Sequence, residues 1–101
     1  MRITIQYFDD CPNWHEAASL VARYASEHSE VEVEHVIIDS IEEAERQQFR
    51  GSPTLLVDGI DLFARGDEPV GLACRVYATP NGPAGAPTYE QLATAVTARP
   101  R

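Results

Sequence analysis

Cys11 stands at the end of a short apolar alternation and just ahead of a helical pattern, in the stretch YFDDCPNWHEA covering residues 7 to 17. A thiol placed at a helix N-terminus meets unpaired amide hydrogens and the positive end of the helix dipole, and both favour the thiolate, which is the nucleophilic form. Asp9 and Asp10 precede it directly, and their negative charge raises a thiol pKa at short range, so the two influences oppose one another. Three positions on, where a redox pair would carry a second sulfur, stands Trp14. That ring either packs on a stripe with Ala17, Ala18, Val21 and Ala25, or closes off the thiol and stacks on a partner. His15 lies one helical turn beyond Cys11 and could act as a base, but two donors do not compose a metal centre and no metal is expected. Taken alone, Cys11 also reads as a small buried hydrophobe. The other cysteine, Cys74, is distant in sequence and shows no metal-site spacing to Cys11.

These residues need a scaffold, and 101 residues with 44% hydrophobic content suffice for one compact domain spanning 1–101. The net charge of −8 arises from 16 acidic residues against 8 basic ones, all of them arginine. Such an acidic protein repels phosphate backbones, so no nucleic-acid partner is expected. The opening MRITIQYF runs directly into an alternating strand, with neither a leader nor an apolar run long enough for a bilayer, so a cytoplasmic monomer away from membranes is expected. Two cysteines do not resemble the disulfide framework of a small secreted domain.

Residues 2 to 8 alternate as a first strand, and Asp10 is expected to cap a helix entered at Pro12 and ending near Ser29. VEVEHVIID, 31 to 39, reads as a second strand, and SIEE from Ser40 has the form of a capping box that opens a short helix, with Phe49 packing at its exit. TLLVDG, from Thr54, is a third strand ended by an Asp-Gly turn. Residues 60 to 71 then read as a long connection, LACRVYA over 72 to 78 as the fourth strand, and TPNGPAGAP as loop. Thr88 with Gln91 opens a last amphipathic helix carrying Tyr89, Leu92, Ala93 and Val96, with Arg99 to Arg101 expected to fray.

That order, strand-helix-strand-helix-strand-strand-helix, with a cysteine at the end of the first strand, resembles the thioredoxin-like superfamily of thioredoxins and glutaredoxins. RGSPTLLVDG, 50 to 59, is similar to the family segment in which a cis-proline begins the third strand opposite the active-site cysteine. The likeness runs from Ile3 to about Val96 and implies an α/β protein of thioredoxin fold, with a four-stranded mixed sheet flanked by three helices. In place of the family's C-x-x-C the chain has C-P-N-W, the form of a monothiol member.

The resemblance implies a thiol-disulfide oxidoreductase in which Cys11 attacks a mixed disulfide and a low-molecular-weight thiol, acting as co-substrate and not as a bound cofactor, releases it. Disulfide-containing proteins or small thiols are the implied partners. Pro12, Trp14, Ser52, Pro53 and Thr54 would bind substrate, Ser52 and Pro53 by offering backbone to an added strand. Arg50 could hold a carboxylate of a peptide-like thiol, or pair with Glu43 or Glu45 at the surface. In a fourth strand parallel to the first, four residues would separate Cys74 from the active end and leave it roughly 13 Å away. That exceeds the span of about 7 Å that a disulfide tolerates, so Cys74 is expected to be a buried structural residue. A binding or adaptor module that has lost its redox turnover is the alternative, and an organometal thiol site would require the two sulfurs to meet.

Overall fold

The computed structural model describes residues 1–66 and 68–98, so the expected fraying of Arg99 to Arg101 lies outside the described residues. Alternation of Ile3 and Ile5 with Thr4 and Gln6 produces β1 (Arg2–Tyr7), all four being buried. Strand β1 pairs in parallel with β2 (Glu32–Ile37), Ile3 opposite Val33, and antiparallel with β3 (Thr54–Val57), Ile3 opposite Val57. A two-residue strand, β4 (Ile60–Asp61), completes a four-stranded mixed sheet in the order β2-β1-β3-β4. Helices α1 (Trp14–Glu27) and α3 (Tyr89–Thr97) bury Ala17, Val21, Leu92 and Val96 against Ile3, Ile5, Leu55 and Val57. The short α2 (Ile41–Gln47) closes a second cluster, in which Phe49, Ile38 and Ala44 are fully buried. Among the described residues no helix is long and apolar enough to cross a membrane.

Helix caps follow the side chains only in part. Thr88 and Gln91 form the full reciprocal capping box at α3. At α2 the Ser40 hydroxyl accepts from the Glu43 N–H at 3.0 Å, but the Glu43 carboxylate turns to Arg46 and Gln47 instead of back to Ser40, so only half of the box forms. Helix α1 does not start at Pro12 under an Asp10 cap: Pro12 and Asn13 make a turn in which the His15 N–H donates to the Pro12 carbonyl, and Asn13 occupies the cap position with no side-chain hydrogen bond.

The main departure from the expected chain course follows from the Asp-Gly turn. Asp58 and Gly59 both have positive φ, 51° and 85°, the backbone of a tight two-residue hairpin, and so the chain re-enters the sheet at once as β4. The place beside β3 is thereby taken, and residues 72 to 78 do not form the fourth strand. Instead the chain from Leu62 returns toward the start of β3, where an isolated parallel bridge joins Cys74 to Ser52. Its end, β5 (Tyr77–Thr79), pairs with β6 (Gly82–Ala84) across Pro80 and Asn81, so part of the expected Pro/Gly-rich loop is a second, two-stranded sheet.

Candidate functional site

The C-terminal end of β1 and the N-terminal end of β3 meet at Ser52, whose hydroxyl accepts from the Phe8 N–H at 3.3 Å. Ser52, Pro53 and Thr54 are buried, and the Ser52-Pro53 peptide bond is cis. Cys11 lies against this corner with no exposed surface, its Sγ 3.5 Å from the Ser52 carbonyl oxygen.

Cys74 is not at the opposite pole. It is bonded to Cys11 in a disulfide, with the alpha carbons 5.8 Å apart, and it is exposed where a buried residue was expected. The distance reckoned from the sequence assumed that Cys74 sat early in a strand beside β3; with β4 in that place, the segment carrying Cys74 crosses at the Cys11 end of the sheet instead. Cys11 therefore has an internal sulfur partner, and as half of a disulfide it carries no titratable thiol.

The backbone that was expected to receive a substrate strand is already used. The Ser52 N–H donates to the Ala73 carbonyl at 2.8 Å, and the Ser52 carbonyl accepts from the Arg75 N–H at 2.9 Å. The Pro53 carbonyl accepts from the Tyr77 hydroxyl at 2.6 Å, and the Thr54 hydroxyl donates to the Gly51 carbonyl at 2.6 Å. The chain's own residues 73 to 77 thus fill the edge that Ser52 and Pro53 were expected to offer. Gly51 permits the approach: its φ is +112°, and a Cβ there would stand 2.9 Å from the Arg75 Cβ and 3.2 Å from the Ala73 carbonyl oxygen.

Arg75 anchors the segment. Its side chain, 3% exposed, bonds Asp61 at 2.7 and 3.3 Å, lies 3.8 Å from the Glu68 carboxylate and sits over the Tyr77 ring. Burial alone would lower its pKa, but the Asp61 hydrogen bond and the surrounding negative charge outweigh burial and raise it. Tyr77 is pushed well above the ordinary phenol value, chiefly by burial. Backbone N–H groups of Arg65, then of Glu68 itself and Gly66, hold Glu68 below the usual carboxylate range, with the Arg75 charge adding to them.

The remaining residues singled out from the sequence are spread around this core. Pro12 is exposed; Trp14 is half-buried, stacked on Tyr7 at 4.3 Å and on His15 at 3.8 Å. Arg50 donates to the backbone carbonyl of Glu68, not to Glu43 or Glu45 as expected at the surface. A cavity of about 230 Å³ opens beside the disulfide, lined in part by Arg50, Arg65, Glu68, Cys74, Arg75 and Val76. Sequence reasoning missed Arg75, Tyr77, Asp61 and Gly51. The one available signal was the Asp-Gly pair followed at once by Ile60 and Asp61, which allows a hairpin there instead of a long connection.

The chain matches no protein-family model, no curated protein and no solved structure.

Proposed function

We propose that the protein is a thiol-disulfide exchange enzyme of thioredoxin-like type, in which Cys11 and Cys74 together form the reacting pair. The observation that carries this reading is the Cys11–Cys74 disulfide at the corner where β1 ends and β3 begins. The thioredoxin-like assignment is supported by the sheet order β2-β1-β3-β4, the parallel and antiparallel partners of β1, and the proline that opens β3. In place of a monothiol that depends on an outside sulfur for release, the pair cycles between disulfide and dithiol. Two electrons pass to a substrate disulfide, and a low-molecular-weight thiol, consumed as co-substrate, restores the reduced pair. The cytoplasm, rich in such thiols, is the compartment this chemistry implies. An adaptor would have to hold its ligand elsewhere than along the Ser52 backbone, where residues 73 to 75 already pair.

The test is turnover of a small disulfide with an added monothiol as reductant. Turnover should be at least about tenfold above the uncatalysed exchange, should fall below the parent in each of Cys11→Ser and Cys74→Ser, and should reach background only when both cysteines are replaced, because the added monothiol can stand in for one sulfur of the pair. No turnover by the parent protein would sink the proposal; full activity in Cys74→Ser would restore the monothiol reading.

A further inference from the structure

We infer that exchange enters and leaves through Cys74, with Cys11 as the internal sulfur that closes and opens the pair, the reverse of the order in which the two cysteines would be ranked from the sequence. The assignment rests on the exchange reading above, which supplies the low-molecular-weight thiol, and it names the atom at which that thiol arrives. Attack on a disulfide requires that the incoming sulfur reach the sulfur attacked. Cys11 has no exposed surface, whereas Cys74 is exposed and lines a cavity of about 230 Å³ that Cys11 does not line.

Reduction proceeds in balanced steps. The thiolate of a low-molecular-weight thiol attacks Cys74 Sγ; a bond forms between the two sulfurs while the Cys11–Cys74 bond breaks, and Cys11 leaves with the electron pair and takes up a proton. A second thiolate attacks the small-molecule sulfur of the mixed disulfide, releasing a small disulfide and the Cys74 thiolate. In the other direction, the Cys74 thiolate opens a substrate disulfide, expels one half as thiolate and keeps the other as a mixed disulfide. Cys11 loses its proton and attacks Cys74, and the second half leaves. The substrate gains two electrons and the pair loses two.

Cys11 stays covered in the reduced protein because the segment above it is held by more than the disulfide. The bonds of Ser52 to Ala73 and Arg75, the Arg75–Asp61 ion pair and the Tyr77–Pro53 hydrogen bond are all independent of the sulfur bond. Cys74 therefore remains seated between the inner sulfur and the outside.

The reduced parent protein, treated with limiting iodoacetamide and mapped by peptide mass, should carry the label on Cys74. Cys11→Ser, treated with 4,4′-dithiodipyridine, should form a stable adduct on Cys74 on the order of 100-fold faster than Cys74→Ser forms one on Cys11, which must wait for local opening. Label on Cys11 first in the parent, or comparable rates in two variants that keep the parent's circular dichroism, would overturn the assignment. The turnover assay is read separately: turnover with Cys11 labelled first leaves the proposed function standing and removes this order of attack, while labelling at Cys74 without turnover removes the function and keeps the order.

Discussion

Glu68 shows how one side chain can organise a loop. It accepts hydrogen bonds from the Arg65 and Gly66 amides at 2.9 to 3.2 Å and adds its charge to the field around Arg75. Those bonds are stronger to the ionised form, which is why the carboxyl is held below its ordinary value of 4.5. Because the folded-state pKa lies below the unfolded one, the stabilisation is fully present above 4.5 and is lost as the pH falls through the lower, folded value. Glu68→Gln should therefore be less stable than the parent near neutrality and should lose less of its remaining stability on acidification, so that the two urea-unfolding curves converge in acid. Curves that stay a constant distance apart down the acid limb would contradict this. None of it was legible in the sequence, where Glu68 and Arg75 are separate charges in what reads as a connection and a strand; only the return of the chain past Ser52 brings them together. Cys11 was legible as a residue of chemical interest, because its place between a strand and a helix is a local property.

At the level of elements, the cap of α3 was read in full, that of α2 by half and that of α1 wrongly. Thr88 and Gln91 set the start of α3 because a capping box is made by residues three apart. The Asp-Gly turn was equally visible, yet its consequence, a two-residue β4, was missed because so short a strand carries almost no periodic signal. That one pairing decided where Cys74 went. Gly51 is where the returning segment is most sensitive. Gly51→Ala would place a methyl group 2.9 Å from the Arg75 Cβ at a φ of +112°, so the backbone must shift or residues 73 to 75 must lift. The expected cost is about 1–3 kcal/mol in urea unfolding of the reduced protein. Cys11 alkylation should also quicken in this variant, a readout that a purely local strain would not move. Unchanged stability and unchanged labelling would show that the segment does not press on Gly51.

For the molecule as a whole, the disulfide closes a loop with a sequence separation of 63. Constraining a loop of that length lowers unfolded-chain entropy by an amount worth about 4 kcal/mol on a chain-entropy reckoning. The oxidised protein should exceed the reduced one in unfolding free energy by a sum of that order, and Cys74→Ala should match the reduced parent. Equal stability of the two redox states would mean that the bond adds nothing beyond what Ser52 and Arg75 already hold. On the proposed exchange reading, the filled edge at Ser52 has a consequence for selection among substrates. Residues 73 to 75 act as a tethered competitor, and a segment joined by a short stretch of chain has an effective concentration of roughly millimolar order. An extended polypeptide seeking to pair with Ser52 must first win against it, whereas a small disulfide needs only to present one sulfur at the rim. Discrimination by size would then arise because the edge already has its occupant, with no pocket shaped to either guest.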